Sequence, residues 1–379
     1  MIGEGLPIGR LFGIEIRVSI IWAVLLAMIA LIGAEQASVT APGIPFALQW
    51  VVGGAVAAGF LVSVLAHELV HAIVARRRGV PTTSIVLGFI GGLAPLAIQG
   101  RRPADELAIA VSGPLLSLAL GGVVLAAGAG VGMADPGLGA VAGALIVVGG
   151  LNVVLALLSL LPGFPLDGGR IVRAIAWARS GDADRSTRFA ARIGRVVGWT
   201  TIGVGIAMAF LDRTTEGLLI LALGWFLSTG ARTLDRRLGL EVLLRGMPVR
   251  DAMERDVAWV GPNLTIDTFA DRFEGENGVS AMAVVDDERV VGVLGVHRLQ
   301  RLGRRKFAST RVADVMATPP QVPVLAPDDE LWGALDLVNQ SGLDGVVVAE
   351  DGRLAGMLTR RSLSAAVRDR MAAQQGGTA

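Results

Sequence analysis

Long apolar runs separated by short polar clusters fill residues 1–231 of the chain. A helix needs about 20 apolar residues to cross the hydrocarbon core of a bilayer. Six runs meet or approach this length, although the last is short: 18–34, 48–75, 106–130, 138–161, 195–211 and 217–231. The first run lacks the small-residue cleavage pattern of a signal peptide and is followed by more apolar runs, so we expect it to be retained. The pattern predicts a multi-spanning α-helical membrane protein with six transmembrane helices.

The composition agrees with this prediction and excludes several kinds of site. Hydrophobic residues make up 53% of the chain, which is high for a soluble protein. The net charge of +1 creates no strong field, so we expect no nucleic-acid partner. The chain contains no cysteine, which excludes thiolate zinc ligands, cysteine nucleophiles and disulfides.

Arginines flank the apolar runs on alternate sides of the predicted membrane. Arg10 and Arg17 precede the first run and three arginines at 76–78 follow the second, whereas residues 35–47 and 131–137 contain no lysine or arginine. Loops rich in these residues stay in the cytoplasm, so both termini are expected to be cytoplasmic. An arginine-rich chain with a single lysine is typical of a GC-rich bacterium. We therefore expect the cell membrane of a bacterium, its inner or plasma membrane.

Residues 79–101 are apolar, but prolines and glycines interrupt them at Pro81, Gly88, Gly91, Gly92 and Pro95. Such a segment cannot form a regular transmembrane helix. Non-helical backbone at membrane depth is tolerated only where protein or a water-filled cavity satisfies its polar groups. We expect a re-entrant, partly β segment that is associated with the membrane; the alternative is an ordinary loop at the membrane surface.

The second apolar run contains the sequence His67-Glu68-Leu69-Val70-His71. Histidines at i and i+4 share one helix face, so both rings reach one zinc ion at about 2.0–2.1 Å from each nitrogen. The intervening glutamate is placed to take a proton from a water that the metal activates. The alternative is a set of buried polar residues without a metal. That alternative costs about 2.5–3.5 kcal/mol for each ionisable side chain at mid-bilayer depth.

Two histidines leave a zinc ion short of a third protein ligand. Asp167 is an isolated carboxylate after the fourth run, within the sequence LPGFPLDGGR at 161–170. Prolines end the run and the two glycines permit a sharp turn, and the predicted orientation places Asp167 on the same side as the histidines. Asp167 is therefore the candidate third ligand. The alternative is a helix N-cap for residues 170–178.

At this point the chain resembles the site-2 protease family of intramembrane zinc metalloproteases. It is similar to the subgroup that has six spans and a C-terminal pair of cystathionine β-synthase-type (CBS) domains. The resemblance covers nearly the whole chain and rests on HELVH at 67–71, Ser112-Gly113-Pro114 at the start of the third run, and LPGFPLDGGR at 161–170.

The resemblance implies one zinc ion per chain, bound by His67, His71 and Asp167, with Glu68 as the general base. It implies an endopeptidase that cleaves transmembrane segments of membrane proteins, such as anti-sigma factors that another protease has already trimmed. This activity is part of regulated intramembrane proteolysis.

Four residues are candidates for contact with the substrate. The resemblance implies that residues 82–100 form a membrane-inserted β region near Gly91 and Gly92, which holds the substrate as an added strand. Family members carry an asparagine eight residues before the aspartate, where this chain has Ser159. Asn152 lies seven residues before Ser159 and so shares its helix face, which leaves Ser159, Asn152 or neither of them as the residue that holds the substrate.

The last third of the chain is polar and repeats itself. The sequence VRDAM at 249–253 recurs as VADVM at 312–316, and short β runs alternate with helical stretches. A tandem of this size resembles a pair of CBS domains with an α/β fold. The predicted segments are a transmembrane metalloprotease domain at 1–231, a linker at 232–246, a first CBS domain at 247–306, a second CBS domain at 307–368 and a disordered tail at 369–379.

CBS pairs often bind adenine nucleotides and pair into dimers, so the resemblance implies a homodimer through the CBS domains. The family pattern places a ribose-binding aspartate at two positions that are Arg298 and Ser362 here. The sequence therefore does not favour a nucleotide at this module. His297 is interpreted as a surface residue.

Two other functions explain part of the pattern. A membrane transporter or channel regulated by CBS domains accounts for the spans and the tail, but it leaves HELVH at 67–71 without a purpose. A catalytically silent scaffold would keep the protease fold without its activity. The predicted function remains an intramembrane zinc endopeptidase.

Overall fold

The computed structural model describes residues 5–82, 84–87, 100–211, 213–273, 281–295, 304–319, 322–340 and 345–376. Gly91, Gly92, His297 and Arg298 lie outside these residues. The chain divides into two compact units, Met1–Arg236 and Arg237–Ala379.

A three-stranded sheet joins the N-terminus to the segment that follows the second long helix. Strands β1 (Leu6–Leu11) and β2 (Ile14–Val18) form an antiparallel hairpin, and β3 (Ser84–Leu87) pairs parallel with β2. The hairpin was not predicted, although the alternation of apolar and charged residues in IEIRV is the usual sign of a half-buried strand. β3 lies within the segment predicted to be partly β, of which residues 88–99 are not described.

The described helices of residues 21–244 have the following bounds: α1 Ile21–Thr40, α2 Phe46–Arg77, α3 Pro103–Ala134, α4 Gly139–Ser159, α5 Asp167–Ser180, α6 Ala183–Phe210 and α7 Thr214–Leu244. Five stretches are long and apolar enough to cross a membrane: Trp22–Thr40, Phe46–Arg77, Pro103–Ala134, Pro136–Ser159 and Ala183–Phe210. They overlap the first five predicted runs, which confirms several apolar helices.

Two details of the prediction differ from these helices. The sixth predicted run, 217–231, lies within α7, which is not among the candidate spans found in the described part of the chain, so a sixth span stays a prediction. The helices also extend past the apolar runs: α6 begins at Ala183, whereas the run begins at 195. Apolar runs mark only the lipid-facing part of a helix, while backbone hydrogen bonds continue through its polar ends.

Small residues bring the apolar helices close together. A Cβ atom at Gly121 on α3 would lie 2.8 Å from the Cγ2 of Val153 on α4, and one at Gly149 on α4 would lie 2.8 Å from the Cγ of Leu125 on α3. Helices in a membrane associate through such van der Waals packing, because lipid gives no hydrophobic drive between them. This packing places α3 and α4 side by side.

The inward face of α2 has a helical spacing. Val56, Phe60, Val64, His67 and His71 follow one another at intervals of three or four residues, and all five are buried. Residues at this spacing lie on one side of a helix. The core face of α2 therefore changes from apolar to imidazole side chains towards its C-terminal end.

The second unit is an α/β module around a five-stranded sheet of order β4-β5-β6-β8-β7. Its elements are β4 Trp259–Val260, α8 Ile266–Phe273, β5 Ala281–Asp286, β6 Arg289–Gly295, α9 Val312–Val315, α10 Leu331–Gln340, β7 Gly345–Glu350, β8 Arg353–Thr359 and α11 Arg360–Gly376.

The two halves of this module repeat the same hairpin. β5 pairs antiparallel with β6, and β7 pairs antiparallel with β8. The register shifts between Val284 and Val285 in the first hairpin and between Val348 and Ala349 in the second, at equivalent places. This agreement confirms the internal repeat that the sequence predicts.

Two predicted segments contain regular structure. Residues 232–244 of the predicted linker belong to α7, and residues 369–376 of the predicted disordered tail belong to α11. Residues 232–244 are rich in leucine and arginine, and residues 369–376 contain alanine, methionine and glutamine, all of which have high helix propensity. The limits of the predicted domains are otherwise not tested and stay predictions.

Candidate metal centre

His67 and His71 place two ring nitrogens side by side on the buried face of α2. Their side chains are almost fully buried, and their Nε2 atoms lie 3.3 Å apart. The ring planes are nearly perpendicular, at 81°, so neither ring stacks on the other. The spacing of one helical turn therefore directs both Nε2 atoms to one point, as the sequence predicts.

Helix α3 supplies a hydrogen-bond partner for Nδ1 of each ring, on the side of the ring opposite Nε2. The Nδ1 of His71 lies 2.7 Å from the backbone carbonyl of Ile109, and the Nδ1 of His67 lies 2.8 Å from the hydroxyl of Ser117. A carbonyl oxygen only accepts hydrogen bonds, so Nδ1 of His71 carries the proton and its Nε2 keeps a lone pair. This is the tautomer that a metal requires at Nε2, and such outer contacts orient ligating histidines in metalloproteins.

Asp167 is the first residue of α5, one hundred residues from His67 in sequence. A Cβ atom at Gly168 would overlap the carbonyl oxygens of Leu160 and Leu161, and one at Gly169 would overlap the amide of Phe164. Only glycine permits this close approach, so the two glycines bring the start of α5 against the preceding turn.

The carboxylate of Asp167 faces the imidazoles. Its Oδ2 lies 3.2 Å from Nε2 of His67 and 3.3 Å from Nε2 of His71. The N-cap position is Leu166 and no side chain caps this helix end, which argues against the N-cap role considered for Asp167. Burial raises the pKa of this carboxyl, which lies between the candidate spans, but His71 and His67 outweigh burial and hold the pKa below its usual range.

The three candidate ligand atoms fit one tetrahedral metal ion. They form a nearly equilateral triangle with sides of 3.3, 3.2 and 3.3 Å. An ion about 2.0–2.1 Å from each atom at tetrahedral angles needs an edge of about 3.3–3.4 Å. The donor set of two imidazoles and one carboxylate leaves a fourth position open, which is typical of catalytic sites and not of structural ones.

Glu68 follows His67 on α2 and lies about 60° around the helix from His71. Its side chain is half-buried, and no hydrogen bond or ion pair of this carboxylate is found within the described ranges. A carboxylate beside the ligand triangle that is not engaged by any described residue is available to exchange a proton with a bound water.

Gly113 forms one wall of the site, a role that the sequence did not reveal. A Cβ atom at this position would overlap Nε2 of His71 and would lie 2.7 Å from Nε2 of His67. Any larger residue at position 113 would therefore occupy the space beside the ligand atoms. The motif Ser112-Gly113-Pro114 therefore contains a glycine that the space beside both imidazoles requires.

The candidate substrate residues have mixed placements. Asn152 is fully buried on α4; its Nδ2 donates to the hydroxyl of Ser63 at 3.0 Å and to the carbonyl of Val148 at 2.8 Å, whereas its Oδ1 has no hydrogen-bond partner among the residues that the structure describes. Ser63 lies one helical turn before His67 on α2. Ser159 is buried and donates to the carbonyl of Ala156 in its own helix. The predicted pair Gly91 and Gly92 lies outside the described residues.

The chain is similar to proteins of known families in both units. The model of "Peptidase family M50" matches residues 55–144 and 131–201, and the "CBS domain" model matches residues 249–303 and 312–369. The first matches contain the HELVH and LPGFPLDGGR sequences. The second pair of matches follows the two repeats of the α/β module.

Curated relatives match along nearly the whole chain. Rip3 of Mycobacterium tuberculosis and sll0528 of Synechocystis sp. both carry the name "Putative zinc metalloprotease". Rip3 is 32% identical over 94% of this chain and 91% of its own length, and sll0528 is 28% identical over 95% and 94%. The solved structure of the site-2 protease from Methanocaldococcus jannaschii is 28% identical, covers 61% of this chain and 95% of that protein, and has a TM-score of 0.39.

Proposed function

Because the chain belongs to peptidase family M50, the site-2 proteases, and carries two CBS domains, we propose that it is a zinc endopeptidase that cleaves membrane proteins within the bilayer. The observation that carries the proposal is the triangle of His67, His71 and Asp167, whose edges suit one tetrahedral ion. The open fourth position distinguishes this site from a structural zinc site.

Each residue of the site has its own role in the proposed hydrolysis. His67, His71 and Asp167 would hold one zinc ion, whose contribution is Lewis-acid polarisation of a carbonyl and a lowered pKa of water. Glu68 takes a proton from the attacking water and delivers it to the amide nitrogen of the leaving peptide. The carbonyl of Ile109 keeps His71 in the tautomer that leaves Nε2 free, and the hydroxyl of Ser117 orients the ring of His67.

Substrate binding requires acceptors and donors for an unwound peptide. A helical substrate hides its carbonyls in i→i+4 hydrogen bonds, so it must open locally before hydrolysis. The partnerless Oδ1 of Asn152 supports a role in accepting a peptide N–H, because a buried acceptor without a partner costs about 1–3 kcal/mol. Ser159 and the segment around Gly91 and Gly92 are the further proposed substrate contacts.

The proposed function also includes a membrane topology, a class of substrate and a mode of assembly. The protein is proposed to cross a bacterial cell membrane six times, with both termini in the cytoplasm, on the basis of its arginine pattern. Its substrates are proposed to be single-span proteins of the anti-sigma-factor type. The CBS domains are proposed to form a homodimer, and Ser362 at an expected ribose-binding position argues against a nucleotide there.

One comparison tests the proposal against its rivals. The zinc content of the full-length protein is measured in detergent, together with cleavage of a membrane-inserted substrate by the wild type, Glu68→Gln and the control Glu35→Gln. We expect bound zinc in all three proteins and a loss of cleavage by about 10²–10⁴-fold in Glu68→Gln alone. Bound zinc without cleavage by the wild type would favour a silent scaffold, and metal-free protein that moves a solute would favour a transporter.

A further inference from the structure

Glu106 is a fully buried carboxylate that the proposed mechanism does not use. It lies in the first turn of α3 and accepts three hydrogen bonds or ion pairs. Its Oε2 accepts from the amide of Gly100 at 2.6 Å, and its Oε1 lies 2.9 Å from Nε of Arg170 and 3.3 Å from a terminal nitrogen of Arg173. A buried charge is costly unless it is paired and hydrogen-bonded, so this cluster needs a structural or functional reason.

Arg170 links the cluster to the metal centre. It follows Asp167 by three residues on α5, which places both in the first turn and a half of that helix. Helix ends fray easily, and here the end residue carries a candidate metal ligand. The buried pair of Arg170 and Glu106 attaches this turn to α3, and Arg173 adds a second attachment one turn later.

The same turn of α3 also holds a ligand from another helix. Ile109, three residues after Glu106, accepts the hydrogen bond from Nδ1 of His71 at 2.7 Å. Glu106 and Ile109 therefore fix α5 and the His71 ring from one rigid helical turn. The two groups that these attachments hold, Oδ2 of Asp167 and Nε2 of His71, lie 3.3 Å apart.

We propose that Glu106 is a positioning residue that acts through Arg170 to hold Asp167 at the distance from the two imidazoles that zinc requires. The inference rests on the proposed metal site. Neither Glu106 nor Arg170 is a catalytic residue, since the ligand triangle is complete without them. Loss of an outer contact of this kind lowers metal affinity by about 10–100-fold, and we expect the lower end for a contact that acts through one intervening residue.

The test is a double-mutant cycle on zinc affinity, measured in the full-length protein by competition with a chromophoric chelator. The variants are Glu106→Gln, Asp167→Asn and the double variant. We expect Glu106→Gln to weaken zinc binding about tenfold, and Asp167→Asn to weaken it more. The double variant should bind zinc as Asp167→Asn does, because without the carboxylate there is nothing left for Glu106 to position. Independent, multiplied losses would overturn the proposal, since a general packing role adds to any other loss.

Asp105→Asn provides the matched control. Asp105 precedes Glu106 in the same turn of α3 and pairs with Arg78 at 3.0 Å, away from α5. This variant should bind zinc as the wild type does; a loss equal to that of Glu106→Gln would contradict a specific role. The thermal midpoint of the metal-free proteins separates weakened folding from weakened binding.

A milder variant keeps the proposal testable where Glu106→Gln does not fold. Glu106→Asp retains the charge but shortens the reach towards Arg170, and its zinc affinity should also fall while its metal-free thermal midpoint stays near that of the wild type. Zinc binding in Glu106→Asp equal to that of the wild type would overturn the inference but leave the proposed function intact. A wild type that binds no zinc would overturn both.

Discussion

In the first unit, buried polar and charged side chains gather where α2, α3 and α5 meet, whereas the described core of the second unit is almost wholly apolar. Of the fourteen buried polar or charged residues in the described ranges, thirteen lie in Met1–Arg236 and one, Ser362, lies in the second unit. The large majority of buried polar groups in proteins have a hydrogen-bond partner.

The first unit therefore has a core with many buried hydrogen bonds and ion pairs, whereas the second unit has a core of packed apolar side chains. In the first unit the buried groups bind one another in a connected set: His71 contacts Ile109, His67 contacts Ser117, and Glu106 contacts Arg170. In the second unit the fully buried side chains Leu331, Val346 and Leu358 belong to one hydrophobic cluster. Changes in the first unit should therefore alter metal binding, and changes in the second should alter stability.

The largest effect is expected from a methyl group in the metal centre. Gly113→Ala places a Cβ atom against Nε2 of His71, so the three ligand atoms can no longer surround an ion. We expect almost complete loss of bound zinc, measured by metal analysis of the purified protein. Gly122→Ala is the control on the same helix, since a Cβ atom there meets nothing within 4 Å, and it should retain its zinc. Full zinc in Gly113→Ala would contradict the geometry of the site.

The second effect is expected in the apolar core of the second unit, where a change should alter stability and not metal binding. Leu331→Ala removes a fully buried side chain at the start of α10, so it should destabilise that unit by about 2–5 kcal/mol. Amide hydrogen exchange of β7 and β8, which belong to that unit, measures the loss. Leu337→Ala, on the exposed side of the same helix, should cost much less. A loss of bound zinc in folded Leu331→Ala would contradict the expectation that changes in the second unit alter stability alone.

The third effect is a graded loss at the ring of His67. Ser117→Ala removes the hydroxyl that contacts Nδ1 and frees the ring to turn, so zinc affinity should fall by about 10–100-fold. Chelator competition measures this change. Ser228→Ala removes another buried serine, whose hydroxyl donates to the carbonyl of Trp225 away from the metal centre, and should leave zinc affinity unchanged. Equal losses in both variants would indicate a general packing effect.

The smallest effect is expected at the proposed substrate contact. Asn152→Ala removes the partnerless Oδ1 without touching a metal ligand, so zinc content should stay constant while KM rises about 2–10-fold, the range expected for one neutral hydrogen bond. Steady-state cleavage of a membrane substrate measures KM. Ser159→Ala, whose hydroxyl is already bonded to Ala156, should change KM less. An unchanged KM in Asn152→Ala would remove this residue from the proposed substrate site.

Local periodicity made some parts of the molecule predictable. His67 and His71 were recognisable because an α-helix places positions i and i+4 on one face wherever it lies. The repeated hairpins of the second unit were recognisable because each half carries its own β runs. The N-terminal hairpin is not predicted although Ile14 and Ile16 alternate with charged residues, because strands of six and five residues give too short an alternation to distinguish them from a loop.

Other parts depend on contacts between distant residues. Arg170 and Glu106 are 64 residues apart, and no spacing rule connects them. The contact at Ile109 is made by a backbone carbonyl, which every residue possesses, so no side chain marks it in the sequence. Gly113 carries no functional group at all, and its role appears only when the space beside two imidazoles is known.

By itself, the sequence determined the apolar helices, the repeated α/β module and the identity of the three candidate ligands, because these follow from periodicity, repetition and the scarcity of polar groups in apolar runs. Only the tertiary structure decided that the ligand atoms form a triangle of 3.2–3.3 Å edges and which groups keep it rigid. The physical reason is that ligand distances depend on how α2, α3 and α5 pack, and packing is a property of facing surfaces that are far apart along the chain.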